Sequence, residues 1–224
     1  MIPKALVLDF DGVVLDSTRV KSSAMAALFA HERPEHVAAI VALHERLGGV
    51  DRYRKFDMIH ADILCRPLSP EWRAELGRRF SDLVFQQVLE CPFIAGAHEA
   101  LEECRSHGLP VFVASGTPED ELKTIVERRG LQPFFREVHG SPRGKPEILA
   151  DIMERYGYCP NDLIFVGDAV TDEAAALERA VPFIGVVTNL LDNPFAPTVL
   201  IVPDLTDLAG AMARLPNESN EFAS

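Results

Sequence analysis

The sequence predicts an α/β fold: a doubly wound, Rossmann-like parallel sheet core with an inserted all-helical cap domain. Over most of the chain, short and almost wholly apolar runs alternate with amphipathic helical segments, as in parallel sheets that helices cover on both faces. Residues 17–90 break this alternation and contain only helical patterns. We therefore expect residues 1–16 and 91–224 to form the α/β core and residues 17–90 to form the cap.

The apolar runs that predict strands end at small or acidic residues, which suits a chain leaving a buried sheet. Helical segments lie between them, several with Pro at the first position and Gly just after the last. One of these helices would begin with Thr117 as its N-cap and Pro118 as its first residue. The predicted strands are residues 4–9, 109–115, 162–168, 182–188 and 198–202, and the predicted cap helices are residues 17–31, 34–47, 51–65 and 69–89.

The composition indicates a soluble globular protein, because 47% of the 224 residues are hydrophobic and 25% are charged. A net charge of −12 argues against nucleic acid as a partner, since phosphate backbones call for a basic surface. The four cysteines are widely spaced, with no CxxC pair, and we expect reduced thiols. A signal peptide and a membrane span are not predicted, so we expect a cytoplasmic protein without a membrane partner, either a monomer or a homodimer.

Polar side chains stand at the ends of the predicted strands, where doubly wound sheets bind their ligands. Asp9 and Asp11 follow the first strand directly. Ser115 and Asp168 close two later strands, and Lys145 begins the helix that lies between these in the chain. The topology therefore predicts that three carboxylates, a hydroxyl and an ammonium group meet at one edge of the sheet.

A divalent cation would resolve the repulsion between Asp9 and Asp11. The two residues are two positions apart in an extended segment, so their side chains point the same way, and two bare carboxylates at that distance repel each other. Asp168 supplies a third carboxylate. Hard oxygen donors without His or Cys favour Mg²⁺ over zinc, and we expect Mg²⁺ as the cofactor.

Mg²⁺ together with a lysine, a hydroxyl and backbone donors makes a site for a phosphoryl group. An ionised aspartate can attack phosphorus to form an aspartyl-phosphate, and a second one can protonate the leaving oxygen and then take a proton from water. We assign the first role to Asp9 and the second to Asp11, with a small phosphorylated metabolite as substrate. Taken singly, the acidic pair could also form a turn, Ser115 could do the same, and Lys145 could be a solvated lysine.

Four segments resemble the motifs of the haloacid dehalogenase-like hydrolase superfamily: "DFDGVVLDS", "VFVASGT", "GKPEIL" and "GDAVTDEAAA". The position of the helical insert is similar to that in the helical-cap subgroup, which includes phosphoglycolate phosphatase-like and β-phosphoglucomutase-like proteins. The resemblance implies Ser115, Gly116 and Lys145 as phosphate ligands. It implies Asp9, the main-chain oxygen of Asp11, Asp168 and Asp172 as Mg²⁺ ligands. Ala169 is a departure, because many relatives carry Ser or Thr there.

The acidic residues discriminate among the activities of this superfamily. Carbon–halogen hydrolysis releases a halide that needs neither a proton nor Mg²⁺, so Asp11 and Asp168 argue against a dehalogenase. A phosphatase is favoured and a phosphomutase of the β-phosphoglucomutase type stays open. A phosphonate hydrolase, which is less favoured, would need an imine-forming cap lysine, and Lys21 and Lys55 are the candidates.

A receiver-like signalling domain is an alternative of a different class. It also phosphorylates an aspartate beside Mg²⁺, with a hydroxyl and a lysine nearby. However, it would be shorter and would lack the helical insert. It would also place its acidic pair and its phosphorylated aspartate on separate strands, whereas here the candidate nucleophile lies within the pair.

Substrate specificity should come from the cap, which closes over the site. The stretch "HERLGGVDRYRKF" combines a glycine pair with several cations in an acidic protein. We expect Arg52 or Lys55 to contact an anionic part of the substrate, while Gly48 and Gly49 allow a close backbone approach. Alternatively, the glycines only end a helix and the cations form a solvated face.

Overall fold

A computed structural model of the protein describes residues 3–189 and 193–216, and it contains one six-stranded parallel sheet. The strand order is β3-β2-β1-β4-β5-β6, so the chain starts in the middle and winds outward in both directions. This is the doubly wound α/β fold that the sequence predicts. The strands are β1 Ala5–Leu8, β2 Val111–Pro118, β3 Glu137–Ser141, β4 Leu163–Gly167, β5 Phe183–Val186 and β6 Leu200–Val202.

The central strand β1 shows why the sequence of this sheet is so apolar. It pairs in parallel with β2 on one side and with β4 on the other. Leu6 and Leu8 belong to one apolar cluster, and Ala5 and Val7 belong to a second one. Because successive side chains of a strand point to opposite faces, the two clusters are the two covered faces of the sheet. The helices of this part are α5 Ala97–Ser106, α6 Glu119–Arg128, α7 Lys145–Tyr156, α8 Val170–Glu178 and α9 Leu208–Arg214.

Four helices stand between β1 and β2, in the region for which we propose a cap: α1 Thr18–Leu28, α2 Pro34–Arg46, α3 Arg52–Met58 and α4 Pro70–Glu90. The third is shorter than predicted, because a π-helical turn, Ile59–Ile63, follows it directly. Local capping explains two of the starts. Asp51 accepts hydrogen bonds from the backbone N–H groups of Tyr53 and Arg54, and Ser69 accepts one from Trp72. Below, "cap" denotes residues 17–90.

Two details of the sheet differ from the sequence-based prediction. Strand β3 was not predicted, because "EVHGS" is short and mixes charged and apolar residues, as edge strands often do. Strand β2 continues through Thr117 to Pro118, and α6 begins only at Glu119. The prediction of Thr117 as a helix cap was therefore wrong, and its side chain serves another purpose described below.

All four cysteines, Cys65, Cys91, Cys104 and Cys159, are free thiols, as expected. Within residues 3–189 and 193–216, none of the helices combines the length and the apolar character that crossing a membrane requires.

Candidate active site

The segment that follows β1 brings two carboxylates to the carboxyl edge of the sheet. Asp9 is buried and its Oδ1 accepts a hydrogen bond from the backbone N–H of Phe10 at 2.6 Å. The chain then turns at Gly12, which has a φ of +78°. A Cβ atom at this position would lie 2.1 Å from Oδ2 of Asp168. Glycine is therefore required twice, for the left-handed backbone and for the space that the Asp168 carboxylate fills.

Lys145 links two of the predicted site residues. As the first residue of α7, it extends its ammonium group to Asp9 Oδ2 at 2.7 Å and also to Asp172 Oδ1. The side chains of Asp9, Lys145 and Asp172 are all buried. Burial lowers the pKa of Lys145, but the carboxylates of Asp172 and Asp9 outweigh this effect, so the pKa lies above its ordinary value. The ammonium is therefore a fixed positive charge beside Asp9.

Asp9, Asp168 and Asp172 form a cluster suited to a cation, because each offers a carboxylate oxygen and these oxygens lie within 4.8 Å of one another. Burial, Asp9 and Asp172 raise the pKa of Asp168 well above its ordinary value. Burial, with Asp9 adding to it and Lys145 opposing it, raises the pKa of Asp172 to about 7. The raised pKa values of Asp168 and Asp172 indicate that the negative charge of the cluster is not fully compensated by Lys145. Three hard oxygen donors in one place fit Mg²⁺.

Asp11 points away from that cluster into a separate set of hydrogen bonds. Its Oδ1 accepts from the Ser17 hydroxyl at 2.5 Å, and its Oδ2 accepts from the Thr117 hydroxyl at 2.9 Å and from the Lys21 ammonium. Lys21 also donates to Thr117 Oγ1 at 2.7 Å. Burial would raise the pKa of Asp11, but Lys21 and the two hydroxyls outweigh it and hold the pKa below its ordinary value.

The glycine pair of the cap seats on the sheet edge beside Ser115 and Gly116. The carbonyl oxygen of Gly48 accepts a hydrogen bond from the Thr171 hydroxyl. A Cβ on Gly116 would lie 2.3 Å from the carbonyl oxygen of Gly49, and a Cβ on Gly48 would lie 2.8 Å from the Cβ atom of Ala169. Small residues at these positions therefore let the cap backbone reach the core backbone. Ala169 stands where the resemblance predicts Ser or Thr, and its small side chain lies at this close approach of Gly48 to the core.

Arg52, one of the two predicted specificity residues, forms an ion pair with a residue of the core. Its guanidinium donates to both carboxylate oxygens of Glu121 on α6, at 2.7 and 3.0 Å. The Ser81 hydroxyl of α4 shares the same carboxylate at 2.5 Å, and the guanidinium stacks 4.8 Å from the centre of the Phe80 ring. The ion pair is buried, with 6% and 12% of the two side chains exposed. Arg52 thus holds the cap to the core in this structure.

Lys55, the other predicted specificity residue, has a different environment. Only 4% of it is exposed, and its ammonium lies 3.2 Å from the carbonyl oxygen of His44 and 3.4 Å from Nδ1 of the same residue. Burial and the nearby Lys21 lower the pKa of Lys55 to about 7, with Asp11 opposing them. Burial and Lys55 in turn lower the pKa of His44 to about 3. No carboxylate among the described residues forms an ion pair with Lys55.

One cavity of about 710 Å³ joins these features. Asp9, Asp11, Ser115 and Asp168 line it from the core, and the cap contributes Lys21, His44, Arg52 and Lys55 among other residues. The structure therefore brings together all the core residues that the sequence singled out, and it places both candidate cap cations at the same cavity.

Four polar residues of the site were not identified from the sequence: Lys21 as a partner of Asp11, Thr117, His44 and Glu121. Lys21 had been considered only as an imine-forming residue. For Thr117, the signal was present in its position two residues after Ser115 on the same strand, which turns both side chains the same way. His44 and Glu121 carry no local signal, because their partners lie on other elements.

The arrangement of an acidic pair after β1, a lysine at the start of α7 and two aspartates around the β4–α8 turn matches a known family. Residues 3–180 match the family model of the haloacid dehalogenase-like hydrolases. The chain belongs to this family. The resemblance inferred from the four motifs and the interpretation as a hydrolase are both confirmed.

Similar proteins include several phosphatases. The chain is 26% identical over 210 residues to a phosphoglycolate phosphatase of Synechococcus elongatus, covering 90% of this chain and 91% of that protein. It is 22% identical over 198 residues to a phosphorylated carbohydrates phosphatase of Thermotoga maritima, covering 85% and 88%. Among solved structures, a β-phosphoglucomutase from Clostridium difficile superposes with a TM-score of 0.75 at 19% identity, over 93% of each chain. The last comparison supports the fold.

Proposed function

We propose that this hydrolase is a Mg²⁺-dependent phosphatase that cleaves a small-molecule phosphate monoester through an aspartyl-phosphate on Asp9. The observation that carries the proposal is the bridge that the Lys145 ammonium makes between Asp9 and Asp172 beside Asp168. This bridge places an ammonium group against the Asp9 carboxylate, which is the group that attacks. The names of the curated relatives, phosphoglycolate phosphatase and phosphorylated carbohydrates phosphatase, agree with this reaction.

In the first step a carboxylate oxygen of Asp9 bonds to phosphorus while the bond from phosphorus to the ester oxygen breaks. Asp11 delivers a proton to the departing oxygen. In the second step water attacks the phosphorus of the aspartyl-phosphate, the bond from phosphorus to the Asp9 oxygen breaks, and inorganic phosphate leaves while Asp11 takes the proton from this water. The three donors around Asp11 favour its ionised form, which is the form that the second step requires. The proton that Asp11 then takes from water is the one it delivers to the departing oxygen in the next turnover. Ser17, Lys21 and Thr117 therefore act as positioning residues for the acid/base group.

The proposed ligands of the cation are Asp9, the main-chain oxygen of Asp11, Asp168 and Asp172. When bound, Mg²⁺ would neutralise charge on the phosphoryl oxygens and offset the repulsion between them and the carboxylates. Ser115, the backbone of Gly116 and Lys145 are the proposed phosphoryl-binding groups. The Lys145 position, 2.7 Å from Asp9, supports a role in holding both the nucleophile and the phosphoryl group.

For the cap, we retain Lys55 as the residue that contacts an anionic part of the substrate, with Arg52 as the second candidate. The bidentate contact with Glu121 already neutralises Arg52, whereas His44 is the one hydrogen-bond partner that Lys55 has among the described residues. This difference in pairing favours Lys55.

A panel of phosphate esters with Mg²⁺ tests the phosphatase proposal. We expect phosphate release by the wild-type protein and a loss of at least about 1,000-fold in kcat for Asp9→Asn, because the amide is not a nucleophile. Asp120→Asn, which changes an exposed aspartate on α6, is the matched control and should retain activity. Equal release by Asp9→Asn and wild type, or no release from any ester, would contradict the proposal.

Two other activities use similar groups. The superposition with a β-phosphoglucomutase supports a phosphomutase as the second candidate, and phosphoryl transfer between two positions of one sugar phosphate would distinguish it from hydrolysis. A phosphonate hydrolase would need an amine that forms an imine, and Lys21 is paired with Asp11. Lys55, with its lowered pKa, is the candidate that stays open for that role. Family membership gives no support to the receiver-like signalling domain.

A further inference from the structure

The cavity is large for a two-carbon phosphate ester. Its volume of about 710 Å³ falls in the range of pockets that enclose most of a drug-sized ligand, about 300–1,000 Å³. Asp9, Asp11 and Asp168 line it from the core, where Lys145 contacts Asp9, whereas Lys55 and His44 line it from the cap. A ligand that touches both sides is therefore expected to be larger than the ester group itself.

The charge of Lys55 is not balanced within the described residues. Arg52 is neutralised by Glu121 and Lys21 is neutralised by Asp11. In the described part of the chain, the polar partners of the Lys55 ammonium are the ring and the carbonyl oxygen of His44. A buried ammonium without an anion is costly, and a group on the substrate that carries one negative charge would compensate it. A carboxylate has one charge, whereas a second phosphate would carry between one and two, so a carboxylate is the better match.

Part of the cavity wall carries hydroxyl groups. Thr18, Ser22 and Ser23 belong to α1 and line the cavity. None of their hydroxyls has a hydrogen-bond partner within residues 3–189 and 193–216. At the cavity lining, the exposed Glu45 and Arg46 have opposite charges. A polyhydroxylated chain would find donors and acceptors along this wall.

We propose that the substrate is the phosphate monoester of a polyhydroxylated carboxylic acid of sugar size, with the carboxylate bound by Lys55 and the hydroxyls facing α1. This inference rests on the proposed phosphatase activity. The alcohol released from the ester is then a hydroxy acid of sugar size, and its carboxylate binds Lys55 and not Arg52.

The test compares kcat/KM, with Mg²⁺ present, for 6-phosphogluconate, glucose 6-phosphate, phosphoglycolate and fructose 1,6-bisphosphate. We expect 6-phosphogluconate to be preferred over glucose 6-phosphate by about tenfold or more, since charge-assisted hydrogen bonds give preferences of this size. Lys55→Met should reduce this preference to about twofold or less, chiefly by lowering kcat/KM for 6-phosphogluconate. Lys123→Met, on the exposed side of α6, is the matched control and should retain the preference.

The outcomes separate this inference from the phosphatase proposal. Release from p-nitrophenyl phosphate without any preference for 6-phosphogluconate would overturn the acid-sugar inference and leave the phosphatase intact. A kcat/KM that is higher for phosphoglycolate than for 6-phosphogluconate would contradict the inference that the substrate is of sugar size. A kcat/KM that is higher for fructose 1,6-bisphosphate than for 6-phosphogluconate would contradict the inference that the second anionic group is a carboxylate. A preference that survives in Lys55→Met would overturn the assignment to Lys55. No release from any ester would count against the phosphatase itself.

Discussion

At the scale of single residues, the two cap cations illustrate how burial and pairing decide what a charge does. The Arg52 guanidinium donates two hydrogen bonds to the Glu121 carboxylate and both side chains are largely buried, so this pair adds to the contact between cap and core. Lys55 is equally buried but has a histidine ring as its neighbour. Its positive charge is therefore retained at a cost in stability, which is common for residues that serve binding.

The cost at Lys55 predicts that Lys55→Met stabilises the protein at low pH. The pKa of Lys55 is lowered from 10.5 to about 7, so the folded state holds an unfavourable charge below pH 7. As the pH rises from 7 to 10.5, the folded state loses this proton before the unfolded state does, and the cost disappears. The difference in pKa sets a limit of about 5 kcal/mol, and we expect a gain of roughly 2 kcal/mol at pH 6 because the contact with His44 is lost.

Urea unfolding of wild type and Lys55→Met at pH 6 and pH 10 measures this effect. The difference in free energy of unfolding should shrink towards zero at pH 10. Lys123→Met, which removes an exposed lysine, controls for the change in net charge. A Lys55→Met protein that is less stable than wild type at pH 6 would contradict the interpretation.

At the scale of elements, the sequence predicts best what depends on local patterns. The strands β1 and β4 are continuous apolar runs and β2 begins as one, and the start of α4 after its N-cap Ser69 follows a local capping rule. The core site residues follow because parallel strands end at one edge. Strand β3 was not predicted because its composition is mixed. The ion pair of Arg52 with Glu121 was not predicted because 69 positions separate the two residues in the sequence. Pairing across elements is decided by packing, which periodicity does not encode.

The docking of the cap on the core predicts a sharp effect of Gly116→Ala. The new Cβ would lie 2.3 Å from the carbonyl oxygen of Gly49 and 2.7 Å from its carbon, and both are backbone atoms that cannot rotate away. The backbone N–H of residue 116 is retained, so the change acts on the seating of the cap. Since a misplacement of about 1 Å can cost about 100-fold, we expect kcat/KM to fall by roughly 10- to 100-fold.

Gly144→Ala is the control for Gly116→Ala, because the nearest atom to its Cβ would be 3.6 Å away, an ordinary contact. The two variants should be measured on the best substrate of the ester panel, together with the radius of gyration in solution, which should rise only for Gly116→Ala. If Gly116→Ala retains wild-type kcat/KM, turnover does not require the close contact between Gly49 of the cap and Gly116 of the core.

At the scale of the whole molecule, the protein concentrates negative charge at the edge of its sheet. It carries a net charge of −12, and Asp9, Asp168 and Asp172 place carboxylate oxygens within 4.8 Å of one another. The single ammonium of Lys145 lies against two of these carboxylates. The fold must therefore overcome a local repulsion that a cation would relieve, and we expect the proposed Mg²⁺ to stabilise the folded chain when it binds there.

This stabilisation predicts opposite effects of Asp168→Asn with and without Mg²⁺. A cation that binds only the folded state at 100 times its Kd stabilises it by about 2.7 kcal/mol, which raises Tm by roughly 5–10 °C in a chain of this size. Asp168→Asn removes one charge from the cluster, so its Tm in EDTA should equal or exceed that of wild type. Its rise in Tm with Mg²⁺ should be largely lost, whereas Asp120→Asn should keep the rise. A Tm of the wild-type protein that does not respond to Mg²⁺, or an equal response in Asp168→Asn, would show that these carboxylates do not hold the cation.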